Sequence, residues 1–282
     1  MNSLDLAWKI RRHAVEMTHL SGGSHIGSIL SVADIVAVLY ADILKYDSNK
    51  PTLPDRDRLI LSKGHAGAAI YAALAESGFF PIETLKTHYQ NGSILSGHVS
   101  HKGVPGVEIS TGSLGHGLSI GSGMAYAGKL NKNTYRVFVI LGDGENDEGA
   151  IWEAALVSAH FKLNNRIAIV DYNKMQSLDF VENTISLSPL DQKWTSFGWN
   201  VISIDGHNHQ ELKRALSIDI SKNDKPTIII ANTIKGKGIS FMENNILWHY
   251  RFPHDGEEYD NSIKELMLSK PKNVVDPYEE IK

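Results

Sequence analysis

The chain has 282 residues, of which 42% are hydrophobic and 21% charged, close to ordinary globular usage, so neither a disordered nor a fibrous protein is expected. A formal net charge of -4 leaves no basic footprint for nucleic acid, and the absence of cysteine excludes disulfides and thiolate zinc sites. The N-terminal "MNSLDLAWKIRRHAVEM" has no signal-peptide core, and no window approaches the roughly 18 consecutive apolar residues of a membrane span. A soluble, cytoplasmic protein with no nucleic-acid or membrane partner is the expectation.

Apolar residues at helical spacing (Leu6, Ile10, Val15) predict a first helix over Leu4–Leu20, broken by Ser21-Gly22-Gly23-Ser24. A second, largely buried helix is expected over Ser31–Leu44. "RDRLILSKGHAGAAIYAALAESG" reads as a short strand at Leu59–Leu61, a turn at Ser62–Gly64 and a helix to Ser77. "STGSLGHGLSIGSGMAYAGKL" is a small-residue turn entering a helix, where a ligand or backbone can come close. The second half alternates: strand Arg136–Leu141, helix Asp147–Phe161, strand Arg166–Asp171, then strand Trp199–Asp205, helix Gln210–Leu216, strand Thr227–Asn232. Near-continuous apolar strands in βαβ order predict an α/β fold, a parallel sheet with helices on both faces, as one domain. From Lys235 on the chain is polar and aromatic, irregular over Phe252–Asn261, with a short helix near Ile263–Leu268. Residues from about 250 to 282 read as a polar C-terminal extension that ends the chain naturally.

Ligands of parallel sheets bind beyond the carboxyl ends of the strands, where Asp143 and Asn173 both fall. Gly142 and Gly144 permit a tight turn and offer amide N–H groups to a phosphate. A carboxylate and an amide oxygen are hard ligands that suit Mg²⁺ or Ca²⁺, with a backbone carbonyl near Met175 to add to the sphere. Gly-Asp-Gly by itself is a common turn, and Asn is a common turn former. The combination is more telling, because about 28 residues lie between Gly144 and Asn173, room for one helix and one strand.

Gly-Asp-Gly followed after this interval by Asn resembles the thiamine diphosphate motif. "RDRLILSKGHA", "GVEISTGSLGHGLSIGSGMA", "GDGENDEGAIWEAA" and "IKGKGISFMEN" together resemble the N-terminal domain of transketolase, in order and over roughly Leu6 to His249. The resemblance implies the fold of a thiamine diphosphate-binding domain. It implies that Asp143, Asn173 and the Met175 carbonyl are metal ligands, that Gly144 and His65 contact diphosphate, and that Gly112 and Leu114 touch the aminopyrimidine, with Gly142 of the same turn counted among the cofactor-binding residues. Asp171 is expected to act behind the metal ligands. Glu148 and Glu153 either form an acidic first helical turn or, by the resemblance, lie at a subunit interface in a network between two cofactors.

Four of the 13 histidines sit in loops flanked by glycine or serine: His25, His65, His98 and His116. Imidazole donates, accepts and transfers protons near neutral pH. By the resemblance His25 and His98 contact the sugar at the reacting carbons, His65 lies near diphosphate and substrate, and His249 reaches diphosphate and donor sugar. The loop around Trp248-His249-Tyr250-Arg251 departs from the family pattern. His116 stands where Gln is usual and is left out, and His101, His160, His207, His209 and His254 are read as ordinary polar residues.

The resemblance also implies an activity, transfer of a two-carbon ketol unit from a ketose phosphate to an aldose. The glutamate that activates the cofactor lies in the family on a pyrimidine-binding domain for which this sequence has no counterpart. The expected protein is the N-terminal subunit of a split transketolase, paired with a companion C-terminal subunit as a 2+2 heterotetramer, with sugar phosphates as substrates. Another thiamine diphosphate enzyme subunit, or a non-catalytic cofactor-binding module, are the alternatives.

Overall fold

The structure is a computed structural model that describes residues 1–279. Its elements in order are α1 (Ser3–Ser21), α2 (Ile26–Val38), β1 (Arg58–Leu61), α3 (Gly67–Glu76), α4 (His116–Leu130), β2 (Val137–Gly142), α5 (Gly149–His160), β3 (Arg166–Tyr172), α6 (Val181–Thr184), α7 (Leu190–Ser196), β4 (Asn200–Asp205), α8 (His209–Leu216), β5 (Thr227–Asn232) and α9 (Glu257–Leu268). Five parallel strands form one sheet in the order β1-β2-β3-β5-β4.

The continuous apolar strands have a simple cause. Phe138, Ile140, Ile167, Ile169 and Ile229 face the layer of α1, α2, α3 and α8. Val139, Leu141, Ala168, Val170 and Ile228 face the layer of α4, α5 and α7. Both faces are covered, so neither set of alternate positions can be polar. The α/β sheet covered on both faces is therefore as expected from the sequence.

Three expectations are corrected. The second helix starts at Ile26, not Ser31, and runs on through a π-helical turn at Leu39–Ile43. Over Ile26–Ile43 the mean hydropathy is 1.8, long and apolar enough to cross a membrane, contrary to the expectation from sequence. It is 83% buried within the fold, which accounts for that composition without a bilayer. Finally, α9 begins at Glu257, inside the stretch read as irregular.

The segment from residue 250 onward is also more than a polar extension over its described part. The Trp8 indole donates to the Leu266 carbonyl at 2.8 Å, Arg12 pairs with Asp276 at 3.1 Å, and buried His13 meets the Tyr278 hydroxyl at 2.7 Å. Leu266 and Val274 are buried. This segment thus covers the outer face of α1.

Candidate functional site

Four adjacent strands deliver loops to one end of the sheet. Beyond β1 lie Lys63 and His65, beyond β2 Asp143, beyond β3 Asn173 and Met175, and beyond β5 Lys235. The N-terminus of α2 closes the site with His25 and Ser28. The result is a cavity of about 220 Å³. His25, His65, His98, His249, Gly112, Leu114, Gly142, Asp143, Gly144, Asn173 and Met175 all line it. Glu148 does not. It is exposed at the N-cap position of α5, with its Cβ behind the Gly115 turn and outside this cavity.

Local structure explains the oxygen cluster. After β3 the chain turns through Lys174, whose φ of 66° is left-handed. This turn lets the Lys174 N–H donate to Asp143 Oδ2 at 2.5 Å and the Met175 N–H donate to Asn173 Oδ1 at 3.1 Å. Gly144 N–H donates to Asp143 Oδ1 at 2.8 Å. An antiparallel bridge from Met175 to Phe180 and the bond from Val181 N–H to the Lys174 carbonyl, 2.9 Å, hold the loop. Burial pushes the Asp143 carboxyl up to about 6, against the Gly144 N–H and with the help of the nearby Asp171 charge. A carboxylate so costly to ionise is one that a bound cation would relieve.

Among the described residues no group of three or more His, Cys, Asp or Glu side chains is arranged to hold a metal. Asp143, Asn173 and the Met175 carbonyl form a hard-oxygen set with a single charge. A divalent cation there needs further oxygens from a bound group, which is what a diphosphate supplies. The residues present therefore fit a metal–diphosphate pair.

Reading the sequence alone misses the two buried lysines. Lys63 Nζ bonds Asp171 Oδ2 at 2.6 Å, and Ser31 Oγ donates to the same oxygen at 2.6 Å, while Thr233 reaches Oδ1. Burial alone would raise the Asp171 carboxyl, but the Lys63 ammonium and these hydrogen bonds hold it below the usual range. Lys235 Nζ donates to the Met175 carbonyl at 3.1 Å and to His249 Nδ1 at 2.7 Å. Burial, and then the Lys63 charge, lower it to about 8. Glu145 is missed as well: its carboxylate accepts from Gly115 N–H at 2.8 Å and Gly142 N–H at 3.0 Å, bracing the Gly-Asp-Gly turn. "SKGHAG" and "IKGKG" display both lysines beside glycines, the one signal available.

The histidines form one wall. The His25 ring centre lies 5.0 Å from that of His65, 5.6 Å from His98 and 5.1 Å from His249. Burial first, then the neighbouring imidazole of His98 and the lysines, lower His25 to about 4. Burial and Lys235 lower His249 to about 3. Burial and Lys63 hold His65 well below its ordinary value, and burial lowers His98. All four are therefore neutral at pH 7, each with one donor and one acceptor. His25 sits at φ 74°, strained for a residue with a side chain, and its Nδ1 is buried without a partner among the described residues. That orphaned atom points to a ligand.

Comparison with known proteins gives the same direction. Residues 3–257 match the family described as transketolase, thiamine diphosphate binding domain. The chain is 41% identical over 259 residues to a subunit of the apulose-4-phosphate transketolase of Phocaeicola vulgatus, covering 92% of this chain and 91% of that one. It is 44% identical over 240 residues to the 6-deoxy-6-sulfo-D-fructose transketolase subunit SqwG of a Clostridium species, covering 85% and 87%. The solved transketolase of Campylobacter jejuni superposes with a TM-score of 0.87 at 30% identity, over 96% of this chain and 43% of that chain. The chain thus spans about two fifths of that solved transketolase and about nine tenths of the Phocaeicola subunit. It belongs to the transketolase family of ketol-transferring enzymes, as the N-terminal, thiamine diphosphate-binding part.

Proposed function

We propose that the chain binds Mg²⁺–thiamine diphosphate and, with a companion subunit carrying the pyrimidine-binding domain, transfers ketol units between sugar phosphates as a 2+2 assembly. The carrying observation is one of coverage: the chain spans 91% of a relative named as a transketolase subunit and 44% of the human transketolase, at 41% and 37% identity. The two subunits compared above are named for a sugar phosphate and a sulfosugar, so the substrates proposed are sugars with an anionic group far from the reacting carbonyl.

Asp143, Asn173 and the Met175 carbonyl would hold Mg²⁺, and Gly144 and His65, which line the same cavity, would lie against the diphosphate. When bound, the cofactor supplies a carbon nucleophile that cleaves a C–C bond beside a carbonyl. The neutral histidines His25, His98 and His249 donate to substrate hydroxyl or carbonyl oxygens as charge develops and can accept a hydroxyl proton without a change of net charge beforehand. Lys235 fixes His249 by donating to Nδ1, so that Nε2 of a neutral ring carries the proton.

The test is co-expression with a candidate companion subunit that carries the pyrimidine-binding domain. Ketol transfer from xylulose 5-phosphate is assayed with Mg²⁺ and cofactor, beside the single chain. Activity in the pair alone is expected. Full turnover by the single chain would overturn the split-enzyme reading. Cofactor bound by the pair without turnover of pentose phosphates would move the substrate to another anionic sugar.

A further inference from the structure

Outside the cavity, one buried polar cluster has no part in the chemistry above. Asp34 of α2 is buried, and Arg11 grips both its oxygens at 3.1 and 2.5 Å. His209 Nε2 lies 3.0 Å from Oδ1, and His207 Nδ1 lies 2.6 Å from Oδ2. The other nitrogen of His207, Nε2, receives the main-chain N–H of Ile234 at 2.9 Å. A peptide N–H can only donate, so Nε2 must be the bare nitrogen and the proton must sit on Nδ1, toward Asp34. The residue that follows Ile234 is Lys235, which holds the Met175 carbonyl and the ring of His249.

The helix shows the same design. α2 and its cap carry a polar stripe at a spacing of three, and its members reach the site in turn. His25 and Ser28 line the cavity, Ser31 bonds Asp171, and Asp34 bonds His207. Residues three apart are neighbours on a helix, but a row at that spacing winds around it, so His25 and Asp34 lie on opposite sides of α2 and the one helix reaches both the cavity and the loop beyond β5.

We propose that His207, oriented by Asp34, is a positioning residue: its Nε2 fixes the main chain at Ile234 and so aims Lys235 at Met175 and His249. The inference rests on the reading of the cavity as a Mg²⁺–thiamine diphosphate site. Lys235 is the group bonded to a metal ligand, the Met175 carbonyl; partners in that position are worth about ten- to hundredfold in affinity or activity, and His207 acts through it.

The experiment uses the full chain with its companion, as wild type, His207→Ala and His207→Gln. Mg²⁺ is titrated in the presence of thiamine diphosphate and read by tryptophan fluorescence. The Gln side-chain oxygen can accept from Ile234 N–H, whereas Ala cannot. Expected is an affinity about tenfold or more weaker in His207→Ala and restored in His207→Gln. Unchanged affinity in His207→Ala, or a folded His207→Gln as weak as Ala, overturns the proposal. If His207→Ala does not fold, the affinity of His207→Gln decides: wild-type binding supports the proposal, and a loss of about tenfold overturns it. Independently of any cofactor, ¹⁵N-histidine NMR of the wild type must show His207 protonated at Nδ1 alone, and an Nε2-protonated ring overturns the inference. Absence of cofactor binding by the wild type would instead defeat the underlying site reading, while the NMR result would still report on His207.

Discussion

At the scale of single residues, the site is built from groups whose ionisation burial opposes. Asp143 is the clearest case, buried and raised to about 6. Asp143→Asn removes the only charged member of the oxygen set, so Mg²⁺ affinity in the presence of thiamine diphosphate should fall by at least about 100-fold, the upper end seen for outer partners. Calorimetric titration of the pair checks this, and the ligand-induced rise in Tm should vanish with it. The histidines carry a pH dependence of known sign. His25 and His249 are lowered from 6.5 to about 4 and about 3. Between those values and 6.5 the unfolded chain takes up protons that the folded chain does not. Their contribution to stability is therefore complete above pH 6.5 and is lost as pH falls toward 4 and then 3. Thermal melts of the single chain from about pH 7 to about pH 4.5 should show Tm falling, and His249→Gln should flatten the slope. Equal slopes in both proteins would refute the assignment. The oxygen set, His25, His65 and His98 are legible in the sequence because each sits in a glycine-bearing loop, at a strand end or in a motif, whereas His249 is reached only through the family resemblance. Lys63 and Lys235 are not, because a lysine beside glycines looks like an exposed one until the sheet buries it.

At the scale of elements, close approach decides how the loops are aimed. A Cβ on Gly64 would lie 2.4 Å from the Thr111 carbonyl oxygen, so the turn beyond β1 and the segment carrying Gly112 touch through a missing side chain. Gly64→Ala should cost about 1–3 kcal/mol through overpacking. Urea denaturation reads it as a lower midpoint at unchanged slope. The helices also show where pattern reading stops. α2 begins at Ile26, ahead of the expected start, and follows His25, which stands at the N-cap position in a left-handed conformation that no propensity suggests. α6 and α7 have no counterpart among the elements expected from sequence. α6 is one turn, and α7 is secured by Trp194, whose indole donates to Asn146 at 3.2 Å across 48 residues.

At the scale of the whole molecule, the segment over α1 is structural. Removing residues 270–282 takes away Asp276 and Tyr278 and leaves Arg12 and His13 without them, although Arg12 keeps Glu16 at 2.8 Å. A loss of about 3 kcal/mol is expected, the low end for a broken buried pair. A melt of the truncated chain indistinguishable from the full chain would show that this covering contributes nothing.

What the sequence by itself determined was the class of fold and which residues gather at the strand ends. Apolar runs and turn residues are local, and motif spacing survives without coordinates. The tertiary structure decided which polar residues share a space. Asp34 and His207 are 173 residues apart, and Lys63 and Asp171 are 108 apart. Such pairings depend on strand order and on the face that each helix buries, neither of which has a signature along the chain. His207, read from sequence as an ordinary polar residue, acquires a partner on each ring nitrogen only once β5 is laid beside β4.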